Sequence, residues 1–201
     1  MTAGLYLITP ATFQPGPFAE TLKAALDAAL VACVRLSLEA GEDAIRRAAD
    51  ALRPVCAARD VALTIADHVR LVAPHGLDGV HLTDAAPAAI RKARETLGAE
   101  RIVGAHGGAT RHRAMTAAEA GADYVSLGPV RAGALGDGLE ASAELFDWWA
   151  EMIETPSVAE GGLTPQIAAT LNADFFAPRI SVWEHPDGAA AAVRAYAAAL
   201  G

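Results

Sequence analysis

Short apolar runs rich in Val, Ile and Leu alternate along this chain with longer Ala-rich runs whose apolar residues recur at helical spacing. The short runs predict strands at Leu5–Thr9, Ala32–Leu36, Ala62–Ile65, Val80–Leu82, Ile102–Ala105, Tyr124–Leu127, Ser157–Ala159 and Phe176–Val182. Between them the spacing predicts helices, among them Phe18–Ala29, Asp43–Ala58, Pro87–Leu97, Arg111–Ala120, Ala141–Ile153, Pro165–Leu171 and Gly188–Leu200. Strands that are apolar at nearly every position belong to sheets covered on both faces. Strict strand–helix alternation predicts a parallel sheet. Eight such units predict an α/β chain folded as a single (β/α)8 barrel domain over residues 1–201, with an open doubly wound sheet as the rival architecture.

A small repeat marks the joints. Gly76-Leu77-Asp78, Gly121-Ala122-Asp123 and Asn172-Ala173-Asp174 each precede a predicted strand. Gly and Asn tolerate the left-handed conformation that ends a helix. Each Asp then falls in an αβ turn, on the face opposite the one that carries chemistry in such barrels, so a structural role is expected.

Composition narrows the class. With 201 residues the chain can bury a substantial core, though it is short for an eight-fold barrel. A net charge of -8 argues against nucleic acid or an anionic membrane as partner. No apolar run approaches the length of a membrane span and no leader pattern opens the chain, so a cytoplasmic protein is expected. Cys33 and Cys56 lie in apolar stretches and read as buried free thiols. Lys23 and Lys92 are the only lysines, both in predicted outer helices, which removes Schiff-base chemistry at the barrel mouth.

In a parallel barrel the functional groups sit at the C-terminal strand ends. In Val158-Ala159-Glu160-Gly161-Gly162-Leu163-Thr164-Pro165 a strand runs into a glycine pair, then a Thr cap with Pro at the first helical position. Glycines let backbone N–H groups approach an anion, and the loops after strands seven and eight are the usual phosphate cradle. Gly161 and Gly162 are therefore candidate phosphate ligands, with the Ser181 hydroxyl from the predicted eighth strand beside them. Asp67 and Asp84 follow strands three and four. They are candidate ligands for Mg²⁺, which takes one or two carboxylates plus phosphate oxygens, or else helix caps. His81 and His106 end strands four and five, and His106 is followed by two glycines that leave room for a ligand. Arg111, His112 and Arg113 read as an exposed basic helix start. Phe146, Trp148 and Trp149 on one helix are either a contact surface or core.

The segments Leu5-Tyr6-Leu7-Ile8-Thr9, Asp78-Gly79-Val80-His81-Leu82, Gly121-Ala122-Asp123-Tyr124-Val125-Ser126-Leu127-Gly128-Pro129-Val130, Gly161-Gly162 and Ile180-Ser181 resemble the thiamine phosphate synthase family, with its relative the thiazole tautomerase. The resemblance implies a (β/α)8 barrel, commonly a homodimer, acting on small phosphorylated heterocycles. The synthase joins an aminopyrimidine pyrophosphate to a thiazole phosphate with Mg²⁺ assisting the leaving pyrophosphate. On the synthase reading the resemblance implies, Arg35, with Arg131 as a replacement charge from another site, would bind the diphosphate, Asp67, with Asp84 from a shifted position, the metal, and Gly161, Gly162 and Ser181 the thiazole phosphate.

The sequence departs from the family pattern at several points. The family's Arg-Glu-Lys is Arg35-Leu36-Ser37 here, and its Asn-Asp is Ala66-Asp67. A second metal acid is missing from its place after His81-Leu82, which continues Thr83-Asp84-Ala85-Ala86. The serine after strand five is replaced by His106 or Gly107, and Arg131 to Gly136 contains no lysine. Glu160 brings a carboxylate to a position that is usually uncharged. Lost lysines and a lost carboxylate withdraw positive field from the leaving group. Two other readings keep the fold: a metal-independent, tautomerase-like isomerase using His106 or Glu160 as acid–base, and a non-catalytic binder of a phosphorylated thiamine precursor.

Overall fold

Eight parallel strands close on themselves in sequence order, β1 pairing with both β2 and β8. They are β1 (Gly4–Ile8), β2 (Cys33–Leu36), β3 (Ala62–Ala66), β4 (Gly79–Leu82), β5 (Ile102–Gly108), β6 (Tyr124–Leu127), β7 (Ser157–Glu160) and β8 (Phe175–Ala177). The computed structural model describes residues 3–84, 86–132 and 138–201. Ala85 and residues 133–136 of the lysine-free segment noted above lie outside them. The expected closed barrel is the one observed, and the open sheet is not.

Helices follow the strands: α1 (Pro15–Leu26), α2 (Glu42–Ala57), α3 (Val69–Val72), α4 (Pro87–Leu97), α5 (Arg111–Glu119), α6 (Ala143–Met152), α7 (Pro165–Ala168), α8 (Ile180–Trp183) and α9 (Ala189–Leu200). Successive strand residues point to opposite faces. Leu5, Leu7, Val34, Val125 and Ala159 join the large core between strands and helices. Their neighbours Tyr6, Ile8, Cys33, Tyr124 and Val158 form a second, smaller cluster, which we place inside the barrel. The helices offer one apolar face to the outer core; α2 buries Ile45, Ala48, Ala49, Leu52 and Cys56. Phe146 and Trp149 of α6 are fully buried there, which settles them as core, while Trp148 is half-buried under the Arg111 guanidinium. Cys33 and Cys56 are both buried and free. None of the described helices is long and apolar enough to cross a membrane.

The three turn aspartates have one structural task. Asp78 accepts from the Leu63 N–H at 2.7 Å, Asp123 from the Val103 N–H at 2.7 Å and Asp174 from the Ser157 N–H at 2.8 Å. Each carboxylate thus caps the first turns of the preceding odd-numbered strand from the αβ joint of the next even one. That accounts for a spacing of two βα units, because backbone donors at a strand start have to find an acceptor.

The eighth strand departs from the sequence reading. It ends at Ala177, and Ile180–Trp183 is a short helix instead of its continuation. Pro178 has no N–H to extend the ladder, so pairing stops there. Ser181 therefore stands on α8, not on β8.

Candidate functional site

At the C-terminal ends of the strands lies a cavity of about 510 Å³, within the range of small-molecule sites. Its floor is made by inward residues of the strands. Arg35 is buried on β2, His81 on β4, His106 on β5 and Glu160 on β7. Four arginines, Arg35, Arg113, Arg131 and Arg179, line it, with Gly161 and Gly162 at one wall.

Glu160 organises the floor. Its Oε2 takes the Arg35 guanidinium in a buried ion pair. Its Oε1 accepts from the Ser126 hydroxyl at 2.7 Å and lies 2.7 Å from His106 Nδ1, which itself hydrogen-bonds Ser126 Oγ at 3.1 Å. Burial alone would raise the carboxyl's pKa, but Arg35 and the His106 hydrogen bond outweigh it and hold the group well below the usual carboxylate range. Glu160 is thus a buried anion whose oxygens are already engaged. Its expected role as a free acid–base gives way to one of holding Arg35 and orienting His106. With Nδ1 engaged by Ser126 and Glu160, His106 turns Nε2 inward, and that atom has no hydrogen-bond partner.

His81 is built differently. Its Nδ1 meets the Tyr124 hydroxyl at 2.9 Å, and the two rings stack with centroids 5.6 Å apart. Tyr124 reaches this position across β5 because residue 104 is glycine: a Cβ there would sit 2.0 Å from Cζ of the tyrosine ring. Burial, with Arg35 nearby, pushes the His81 pKa well below its ordinary value, so the ring is neutral. Its Nε2 is also buried and without a partner, as is Arg35 Nε. Three polar atoms on the cavity floor therefore lack the partner that buried groups nearly always have.

The rim carries charge. Gly161 and Gly162 both have positive φ, 80° and 78°. Gly162 must be glycine for a second reason: a Cβ would lie 2.5 Å from Arg131 Cβ. The Arg131 N–H donates to Gly161 O at 3.1 Å, so the β6 and β7 loops are joined at this point. Arg131 faces Glu140 at 3.7 Å across solvent, and Arg113 faces Asp84 at 3.4 Å. Exposed pairs of this kind are weak and open readily to a stronger anion. Arg179 is half-buried and gives its Nε to Thr9 O and an Nη2 to Ser37 O.

The other sequence candidates fall less centrally. The Ser181 hydroxyl lines the cavity but bonds to Tyr196 OH at 2.7 Å. Because Tyr196 OH donates onward to Leu163 O at 2.8 Å, the serine's proton is spent on Tyr196. Ser181 is thus not the free phosphate donor that was expected. Asp67 accepts from the Thr83 N–H at 2.8 Å and hydroxyl at 2.7 Å, beside a smaller pocket of about 170 Å³. It does not cap α3, whose cap is His68. The Asp84 side chain is 75% exposed. Among the described residues no cluster of three metal-ligating side chains forms.

Sequence reasoning passed over Arg179 and read Arg113 as solvated helix start. The signal for Arg113 was present in Gly107-Gly108: Gly108 has φ 70° and packs against the Arg113 side chain, letting α5 begin close to the mouth.

The thiamine monophosphate synthase family matches residues 5–182. A curated relative, the thiamine-phosphate synthase of Rhodospirillum centenum, is 48% identical over 94% of this chain and 93% of its own. The thiamine-phosphate synthase of Erythrobacter litoralis is 38% identical over 96% and 93%. Among solved structures, a thiamine phosphate pyrophosphorylase from Pyrococcus furiosus superposes with a TM-score of 0.84 at 24% identity, covering 99% of this chain and 96% of that one. The last of these speaks to the fold alone.

Proposed function

This chain belongs to the thiamine monophosphate synthase family, a family of transferases, and from that premise we propose that it joins an aminopyrimidine pyrophosphate to a thiazole phosphate. In that reaction the C–O bond to the diphosphate breaks, pyrophosphate leaves with the electron pair, and the thiazole nitrogen forms the new C–N bond. The observation that carries the reading is the cavity's charge: Arg113, Arg131 and Arg179 stand round its mouth, where two lysines of the family pattern are missing. Positive charge fixed where negative charge develops is what such a departure requires. Gly161 and Gly162, beside Arg131, bind the phosphate of the thiazole. Arg35 serves less as a free anion grip than as the partner of Glu160, with its unpartnered Nε left for the substrate.

Magnesium does not find its expected pair of carboxylates. Asp67 has both oxygens occupied by Thr83, and Asp84 lies exposed against Arg113. This set does not fit a site built on two carboxylates, and no step here runs through a metal.

Calorimetry tests the reading. The aminopyrimidine pyrophosphate and the thiazole phosphate are each titrated into the purified chain, with and without Mg²⁺. Saturable binding of both supports the synthase. Binding of the thiazole phosphate alone overturns it.

A second reading is favoured by one observation, the Glu160–His106 pair with its inward, unpartnered Nε2. A carboxylate that orients an imidazole this way makes a general acid–base. On this reading the chain moves a proton on a thiazole phosphate without metal. Proton exchange into that compound, abolished in His106→Ala, supports it; unchanged exchange in that variant removes it.

A further inference from the structure

We propose that His106 is a catalytic base of the joining reaction: Ser126 and Glu160 hold it with a proton on Nδ1, and Nε2 takes a proton from the amine of the aminopyrimidine as pyrophosphate leaves. The half concerning the amine rests on the synthase reading above; the half concerning the ring does not.

The ring's proton is set by a chain that ends on an anion. Ser126 Oγ donates to Glu160 Oε1 at 2.7 Å, and Oε2 of the same carboxylate is paired with Arg35. A carboxylate held by a guanidinium is ionised and only accepts. His106 Nδ1 lies 3.1 Å from Ser126 Oγ and 2.7 Å from Glu160 Oε1. Among the described residues no other group bonds to these three atoms. Ser126 brings one hydrogen and the carboxylate none. With that hydrogen on the carboxylate, both neighbours of Nδ1 are acceptors, and Nδ1 supplies the N–H. Turned toward Nδ1 instead, it would leave Oε1 facing both a serine oxygen and an imidazole lone pair at 2.7 Å with no hydrogen between them. Nδ1 therefore carries the hydrogen, and the neutral ring keeps its lone pair on Nε2. Ser126 does not line the cavity and acts through the histidine, as a positioning residue.

Two histidines border the cavity with a buried, unpartnered Nε2, and only His106 is backed by an anion. An imidazolium formed there is stabilised by Glu160. His81 rests on the Tyr124 hydroxyl, and burial with Arg35 nearby holds its pKa well below the ordinary value, so it is a poor proton acceptor. Arg35, on the other oxygen of Glu160, also lines the cavity and keeps an unpartnered Nε–H. The floor thus offers an acceptor and a donor from the two sides of one carboxylate. An aminopyrimidine carries the complement, an amine N–H beside a ring-nitrogen lone pair.

The reaction gives this base a proton to take. As the C–O bond breaks, its electron pair leaves with pyrophosphate and the methylene carbon becomes electron-deficient. Loss of an amine proton to His106 Nε2 turns the N–H pair into an exocyclic C=N bond and moves ring electrons into a bond to the methylene carbon. A neutral species then stands where a cation would. The thiazole nitrogen adds to the methylene carbon, the displaced pair returns to the amine nitrogen, and His106 gives its proton back.

Two measurements test the two halves. The first is ¹⁵N correlation spectroscopy of chain labelled at histidine, with the His106 signals assigned by their loss in His106→Gln. We expect a pyrrole-like Nδ1 and a pyridine-like Nε2 at the assay pH. A ring protonated on Nε2, alone or together with Nδ1, overturns the proposal. The second is the single-turnover rate of C–O cleavage for the aminopyrimidine pyrophosphate and for its analogue with methoxy in place of the amine, which donates electrons but has no N–H. His106→Gln should slow the amine compound about a hundredfold and leave the methoxy compound nearly unchanged. Ser126→Ala, a smaller change, should slow the amine compound alone, about tenfold in kcat with KM unmoved, as expected for one lost hydrogen bond. Equal slowing of both compounds, or no slowing of the amine compound, overturns the catalytic half. A wild type that cleaves neither compound removes the synthase reading and the catalytic half with it, and the spectra still decide the ring.

Discussion

Replacing Glu160 by Gln keeps the shape of the side chain and removes its charge from the middle of the barrel. The exposures of the Arg35 and Glu160 side chains are 7% and 2%, so solvent does little to screen the pair. At a charge separation of about 4 Å and an effective dielectric of 20, the attraction is roughly 4 kcal/mol. The glutamine oxygen still accepts from Ser126 or His106, which recovers part of the loss, but Arg35 remains a buried and uncompensated cation. Removing one member of such a pair costs about 3–5 kcal/mol. For a chain of this size that corresponds to a fall in Tm of about 6–20 °C at pH 7. The pH dependence carries a sign. The folded pKa of Glu160 is depressed, so its contribution is complete above the unfolded value, about 4.3, and is lost as pH falls through the folded value. The gap between wild type and Glu160→Gln therefore narrows in acid. Differential scanning calorimetry in low-phosphate buffer measures both quantities. Adding pyrophosphate should raise the Tm of the variant more than that of the wild type, because the anion takes over neutralisation of Arg35. The double variant Arg35→Met, Glu160→Gln should recover most of the lost stability. A drop below about 1 kcal/mol in Glu160→Gln, the value of an exposed pair, would refute the reasoning.

Other expectations follow from the rim and the joints. Arg113→Met should weaken diphosphate binding about tenfold, read by calorimetry, with under about 1 kcal/mol lost from stability, because its pair with Asp84 is exposed. Gly162→Ala meets both a positive φ and the Arg131 side chain, and should cost about 1–3 kcal/mol while lowering affinity for thiazole phosphate. Asp123→Ala strands the Val103 N–H and takes the carboxylate from Arg94, which keeps only its bonds to backbone carbonyls, so urea denaturation should show about 1–3 kcal/mol lost, with substrate affinity unchanged at the far end of the barrel.

The fold was legible because its signals are local and redundant. Most strands announce themselves by a short apolar run, and three of the joints by Gly or Asn before Asp. The one strand overextended, past Ala177, was misread because Ile180, Ser181 and Val182 have strand-like composition while Pro178 had already ended the ladder. The site was legible by position and not by partnership. The order of strand ends placed Arg35, His81, His106, Glu160 and the glycine pair at one mouth, and the structure gathers all of them there. Which group meets which was not legible, since Arg35 and Glu160 lie 125 residues apart and Tyr6 and Tyr124 lie 118 apart. Only barrel closure brings such pairs together. Glu160 read as a free carboxylate for that reason, and Ser181 as a free hydroxyl. Arg113 read as solvated because a basic first turn looks the same in sequence whether it faces water or a ligand.

The most direct test of the central claim is turnover. The purified chain is supplied with aminopyrimidine pyrophosphate and thiazole phosphate in Mg²⁺-containing buffer, and both thiamine phosphate and released pyrophosphate are quantified. The account predicts stoichiometric formation of the two products, reduced in Arg113→Met and Arg131→Met. No thiamine phosphate from a chain that binds the thiazole phosphate would contradict it.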